Sequence, residues 1–403
     1  MAGITKKITG FFKKKSNNKI KQEIVQEAVQ NISKTVKKTT EPDIQVMMLG
    51  ARRVGKTSVL ASMINQFNNV TAGTNLILTK ENSARAVDDA LYSMKSLFLN
   101  NPSYFDNFTM DTMPTPGFEY FDLRLSIARP VSKSNEDKKK GGSRIIRFKD
   151  CAGEWISNYT NKEEISIEVE KSDVIIIAID SVLLMEENRK YNRQNAVENV
   201  TNFIKENLKP QDGANNHKMV LFVPLKCEKY YWQDKNKESI YYGKRMNELN
   251  QAVKEEYHEL FSFFQTSNYK QYFDVVILPI LTIGGIKFFK FTVDEDAKEA
   301  GSENIIYHYT GKDATFNPKY CEQPLIYTLL FEYKKILNEY QNKAYNKNTN
   351  KRKITATIWE WIQDKCEWVK DYDYISEMKK LEGCIKENVD GIEIVQGSSI
   401  RLL

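Results

Sequence analysis

The chain has 403 residues, 41% hydrophobic and 28% charged, with five cysteines, three histidines and a formal net charge of +6. Its longest apolar run is the six residues VIIIAI, Val174 to Ile179, against the roughly 20 that a membrane helix needs. The cysteines form no CxxC pair and the histidines offer no zinc spacing, which sets aside zinc-finger and disulfide-scaffold readings and makes a reducing cytoplasm the expected compartment.

Residues 1–40 hold ten lysines and two glutamates, a net +8 that leaves −2 on the rest of the chain. Basicity is therefore a property of this arm, and a core that reads nucleic acid specifically is not expected. Ile4, Ile8, Phe11 and Phe12 fall on one helical face, with Lys6, Lys7, Lys13, Lys14 and Lys15 around it. A second segment places Ile20, Ile24, Ala28, Ile32 and Val36 four apart. Two short basic amphipathic helices follow from this spacing. Three roles stay open for residues 1–16: an anionic membrane surface, a docking partner, or a solvated arm.

A core is expected over residues 41–343, followed at 344–403 by a polar linker and an aromatic-rich helical extension. IQVMML (Ile44 to Leu49) reads as a buried strand, and SVLASMINQF (Ser58 to Phe67) as a helix with apolar residues at helical spacing. Glu81 to Phe98 reads as a helix and Asn101 to Gly117 as a loop. FEYFDLRLSI (Phe118 to Ile127) alternates as a strand does, and RIIRFKD (Arg144 to Asp150) is a second one. VIIIAID (Val174 to Asp180), MVLFVPL (Met219 to Leu225) and FDVVILPI (Phe273 to Ile280) are predominantly apolar, as strands of a parallel sheet covered on both faces are. One long helix is expected over Met185 to Leu208, another over Lys244 to Phe264, and a third at Leu325 to Tyr340; Gly284 to about Asn317 reads as an irregular insert. The alternation predicts a doubly wound, mostly parallel α/β sheet with ligands at the carboxyl ends of its strands.

Between the first strand and helix stands GARRVGKT, Gly50 to Thr57, which fits G-x-x-x-x-G-K-[ST] at every fixed position. Such a loop cradles phosphates with backbone N–H groups and a helix N-terminus. Gly50, Arg53, Val54, Gly55, Lys56, Thr57 and Ser58 are the candidate phosphate-side residues. Lys56 is expected at the β- and γ-phosphates, and the Thr57 hydroxyl on Mg²⁺.

DCAGEW begins at Asp150, where an apolar strand ends. Asp150 is the second candidate Mg²⁺ residue, and the Gly153 N–H is expected at the γ-phosphate. Glu154 stands where GTPases usually carry a water-orienting Gln; its charge repels the γ-phosphate, so slow hydrolysis is expected. Arg52 and Arg53 are either intrinsic arginines or solvent-facing side chains.

On the base side, Lys226 and Glu228 of LKCEK take the places of Lys and Asp in Asn-Lys-x-Asp, with Leu225 in place of the Asn. A carboxylate there favours guanine, which donates N1–H and N2–H₂ where adenine donates no hydrogen bond. LTIGG (Leu281 to Gly285), with Thr282, is the candidate base-side loop. A threonine closing over Mg²⁺ is expected at Thr115, with Thr112 and Thr74 as alternatives.

The segments MMLGARRVGKTSVLASM, FKDCAGEW, PLKCEK and PILTIGG, in that order, resemble the bacterial double-GTPase group of translation-factor and Ras-like P-loop GTPases, over roughly residues 43–340. The resemblance implies a GTP-binding, Mg²⁺-using switch in a bacterial conflict, defence or stress module, with a protein partner or second GTPase beside it. An ATPase with the same phosphate site and a nucleotide-locked scaffold with negligible turnover remain the alternatives.

Overall fold

The computed structural model describes residues 42–81, 85–99, 107–108, 117–127, 143–208, 217–292, 304–345 and 373–397. The chain divides into Met1–Pro42 and Asp43–Leu403, and the fold described is that of the second unit. The basic arm and the aromatic segment 354–369 lie outside the described residues, as do Thr112 and Thr115.

In chain order the first elements are β1 (Ile44–Leu49), α1 (Lys56–Val70), β2 (Leu76–Lys80), α2 (Arg85–Ser96), β3 (Asn107–Phe108), β4 (Phe118–Ile127) and β5 (Ser143–Cys151). Next come α3 (Gly153–Asn158), α4 (Lys162–Lys171), β6 (Val174–Asp180), α5 (Ser181–Met185), α6 (Val197–Asn207) and β7 (Lys218–Leu225). Then follow α7 (Glu228–Lys235), α8 (Arg245–Glu256), α9 (His258–Gln265) and β8 (Phe273–Ile277). Last are β9 (Ile286–Thr292), β10 (Asn304–Tyr309), α10 (Gln323–Tyr345), α11 (Asp373–Glu382) and β11 (Glu393–Gln396).

Eight strands form one sheet in the order β11-β8-β7-β6-β1-β5-β4-β2. The five from β8 to β5 are parallel; β4, β2 and β11 pair antiparallel at the flanks. This is the α/β fold of P-loop GTPases, with the chain departing from β1 in opposite directions to β5 and β6.

Side-chain parity builds the layers. Val46 and Met48 face α1, α2, α10 and α11, whereas Met47 and Leu49 face α4, α6, α8 and α9. Burying one such side chain is worth roughly 1.5–3 kcal/mol, more than the net ~1 kcal/mol of a ladder hydrogen bond. The apolar pattern therefore decides which face each strand shows. β6 and β8 are buried at every position because both faces are covered. In β4 only alternate residues, Phe121, Leu123 and Leu125, are buried.

Four expectations change. The helix expected over 185–208 is broken: Asp180 caps the five-residue α5 through Val182 N (2.9 Å) and Leu183 N (3.3 Å), and Glu187, Asn188, Arg189 and Ala196 take positive φ before α6 begins. The segment has no Gly or Pro, and of these four residues only Asn188 is of a type that readily tolerates that backbone region. The helix expected over 244–264 is two helices meeting at Tyr257 (φ −97°, ψ 23°). The insert after Gly284 holds a hairpin, β9 with β10, joined by β3 into a three-stranded sheet. Finally, β8 ends at Ile277 rather than Ile280, and β11 pairs with it, so the C-terminal region supplies a strand as well as a helix.

Candidate functional site

The carboxyl ends of β1, β5, β6 and β7 carry Gly50, Asp150, Asp180 and Lys226, and the loop after β8 carries Thr282. The parallel register brings these ends to one rim of the sheet.

The phosphate loop lies against this rim. A Cβ on Gly50 would sit 2.9 Å from the Ala178 carbonyl, so only glycine lets the loop leave β1 beside β6. Gly55, at φ 108°, turns the chain into α1. Ala51, Val54 and Ser58 are buried, while Arg52 and Arg53 are exposed. Lys56 is buried; its Nζ donates to the Gly50 carbonyl at 3.2 Å and stands 3.7 Å from Asp150 Oδ1. Thr57 Oγ1 donates to Asp150 Oδ2 at 3.2 Å.

Asp150 is 1% exposed, and its Oδ1 has no hydrogen-bond partner among the described residues. Burial raises its pKa, against the opposing pull of Lys56 and Thr57. An oxygen pair made of one hydroxyl and one carboxylate, with an unsatisfied buried oxygen, fits Mg²⁺, which takes one or two protein oxygens together with substrate phosphates. Among the described residues no cluster of three or more His, Cys, Asp or Glu forms an all-protein metal cage.

Gly153 opens α3 directly over the loop. A Cβ there would stand 2.4 Å from Arg52 N, 2.5 Å from Arg52 Cα and 2.6 Å from the Ala51 carbonyl carbon. Its glycine is thus required by packing against the phosphate loop. Glu154, the next residue, meets Arg52 at 3.1 Å. Arg53 is in the left-handed region (φ 62°), and its carbonyl accepts from Lys226 Nζ at 3.2 Å.

The base side is assembled from distant segments. Lys226 (φ 60°) also forms an ion pair with Asp180, so one ammonium ties the ends of β6 and β7 to the phosphate loop. Glu228, 3% exposed, opens α7 and accepts from Ile283 N (2.9 Å) and Gly284 N (3.1 Å) through Oε1. Burial raises its pKa; those two N–H groups and Lys226 oppose the rise. The N–H groups expected to face the base thus hold the Glu228 carboxylate. Thr282 accepts from Ser62 of α1 at its carbonyl (2.8 Å), and its buried hydroxyl has no partner among the described residues. Gly284 and Gly285 are needed because a Cβ would lie 1.8 Å from Asn317 O or 2.3 Å from Thr315 O. Leu225 is fully buried, with Cδ1 3.6 Å from where a Gly55 Cβ would be. It supports the phosphate loop by apolar contact where the expected Asn would bond.

Thr74 is not part of the site. It closes a turn after α1, donating to Thr71 O (2.7 Å) and accepting from Leu76 N (3.1 Å), beyond about 20 Å of helix from Thr57. Two residues were not singled out from sequence. Asp180 had a signal, a lone carboxylate closing an apolar strand. Tyr307 had none: it lies on β10, buried, near enough to Asp180 and Glu228 that their charges add to the effect of burial in raising its pKa.

The sheet order, the phosphate loop and the Asp150–Gly153 segment define a P-loop GTPase-type protein. Residues 44–267 match the family described as Double-GTPase 2, and the chain belongs to that family. The match ends before the Thr282 loop, the hairpin and the C-terminal elements. No curated protein matches the chain. No described helix is long and apolar enough to cross a membrane.

Proposed function

We propose that the chain is a Mg²⁺-dependent switch that binds GTP and hydrolyses it slowly. The observation that carries the guanine assignment is the Glu228 carboxylate, fixed by Ile283 and Gly284 beside Lys226, which itself reaches the phosphate loop. A carboxylate accepts from guanine N1–H and N2–H₂, where adenine presents an acceptor nitrogen and a C–H. Lys56 binds the β- and γ-phosphates, with N–H groups of Gly50 to Ser58 around them. Thr57 and Asp150 hold Mg²⁺, and Thr115 is proposed to join them. When bound, Mg²⁺ offsets charge on the phosphate oxygens. The Gly153 N–H meets the γ-phosphate, and Glu154 holds the attacking water.

A nucleotide-locked scaffold is the second reading, favoured by the charge of Glu154 next to the γ-phosphate. An ATPase is the third, kept by Leu225 in the place of a polar brace. Titration with GTP, GDP and ATP separates them. Glu228→Gln keeps an acceptor for Ile283 and Gly284 but loses the charge; it is expected to weaken GTP and GDP by about 1–3 kcal/mol and to leave ATP unchanged. Equal losses for all three nucleotides refute the guanine assignment.

The proposed setting is a bacterial defence or stress module, with a protein partner or a second GTPase. Residues 1–16 are proposed to touch an anionic membrane surface from the cytoplasm. Salt-sensitive pelleting with anionic vesicles, lost when residues 1–16 are deleted, is the expected result.

A further inference from the structure

Arg52 and Glu154 come from opposite walls of the phosphate site, one from the phosphate loop and the other from the first turn of α3. Their side chains meet at 3.1 Å and are 47% and 50% exposed. An exposed pair of this kind adds little to stability. What it fixes is position, because the backbones beneath it cannot separate freely. Gly153 abuts the Arg52 backbone, Ala152 N donates to Gly117 O at 2.8 Å, and Trp155 packs edge-on against Phe118 at 5.3 Å. Of the other two cations of the loop, Lys56 is turned toward Gly50 O and Asp150, and Arg53 is within ion-pair distance of no described carboxylate. Among the described residues, Arg52 is the only cation within ion-pair distance of Glu154.

A carboxylate beside a γ-phosphate puts like charges together, and an uncompensated one opposes binding of the triphosphate more than of the diphosphate. We propose that Arg52 is the counter-ion that lets this site hold a triphosphate next to Glu154, and that it orients the Glu154 carboxylate toward the attacking water. Arg52 is a positioning residue. In the reaction the water oxygen bonds to the γ-phosphorus, and the bond to the β–γ bridging oxygen breaks with its electron pair staying on GDP. The water protons end on inorganic phosphate and solvent; Arg52 makes and breaks no covalent bond. The inference rests on the GTPase reading proposed above.

The test measures GTPγS and GDP affinity, and single-turnover GTP hydrolysis, for the full-length parent, Arg52→Ala, Arg52→Lys, Glu154→Gln and the double variant Arg52→Ala with Glu154→Gln. Arg52→Ala is expected to weaken GTPγS roughly tenfold and to leave GDP within about twofold, with slower turnover. Arg52→Lys, which keeps the charge, is expected to recover most of the GTPγS affinity. In the Glu154→Gln background the Arg52→Ala effect is expected to disappear, since no like charge remains to be offset. The same GTPγS loss in both backgrounds, no loss in either, or an equal loss for GDP overturns the proposal. A parent that binds neither nucleotide overturns the GTPase reading itself, and the inference with it. Failure of the pair alone looks different: the parent binds GTP and the two substitutions simply add.

Discussion

Replacing Gly153 with alanine puts a methyl carbon 2.4 Å from the Arg52 amide nitrogen and 2.5 Å from its Cα. Both are backbone atoms, so no side-chain rotation relieves the clash. An ordinary contact begins at 3.4 Å, so α3 and the phosphate loop must part by about 1 Å. Overpacking of this kind costs about 1–3 kcal/mol, which lowers the melting temperature of a protein this size by a few degrees. On the proposed nucleotide placement, the displacement also moves the 153 N–H away from the γ-phosphate while leaving the diphosphate contacts of Lys56 and the loop. Thermal unfolding of parent and variant without nucleotide, with GDP and with GTPγS reads both effects. The expected result is a lower melting temperature in all three conditions and a GTPγS-induced rise that shrinks more than the GDP-induced one. A variant with the parent's melting temperature and the parent's GTPγS response would refute the packing argument.

Lys56→Ala is expected to remove most affinity for GTP and GDP, because its ammonium is the buried cation at the proposed phosphate position; isothermal titration checks this, and parent-like binding places the site elsewhere. Gln396→Ala leaves the carbonyls of Phe264, Lys270 and Phe273 without their shared donor and is expected to cost about 1–3 kcal/mol in urea unfolding; no change in midpoint counts against the clasp formed by β11. Burial lowers the Lys218 pKa from the ordinary lysine value of 10.5 to about 8, despite nearby Asp173. Between those values the unfolded chain holds a proton that the folded chain does not, so this group's penalty is full below pH 8 and fades as pH rises toward 10.5. Relative to Lys218→Met, the parent is expected to gain stability from pH 7.5 to about 9.5, and parallel denaturation profiles would contradict this.

The parts of this fold that could be read from the chain are those written in local pattern. Val174 to Ile179 is apolar at every position, and the strand it opens is buried at every position. The alternation of Phe118 to Ile127 matches its one buried face. GARRVGKT sits between strand and helix because spacing alone encodes that turn. The rest depends on partners far away in sequence. β2 is only five residues, LILTK, and it becomes a strand by pairing with β4. The hairpin β9–β10 is completed by β3, two residues that lie far upstream in the chain. Glu228 could be matched to a motif, but its hold on Ile283 and Gly284 spans 55 and 56 residues. The Arg52–Glu154 pair and the Lys226–Asp180 pair likewise join segments that no window of the sequence contains.

The pairing of β11 with β8 has a consequence for synthesis. Gln396 donates to the Phe273 carbonyl across 123 positions. On a ribosome adding roughly 5–20 residues per second, the partner strand emerges roughly 6–25 s after β8. Throughout that interval β8, five apolar-flanked residues with an open edge, can pair with any extended chain nearby. The nascent protein is therefore most prone to misassociation while α10 and α11 are being made, and a slower translation rate lengthens that exposure in proportion.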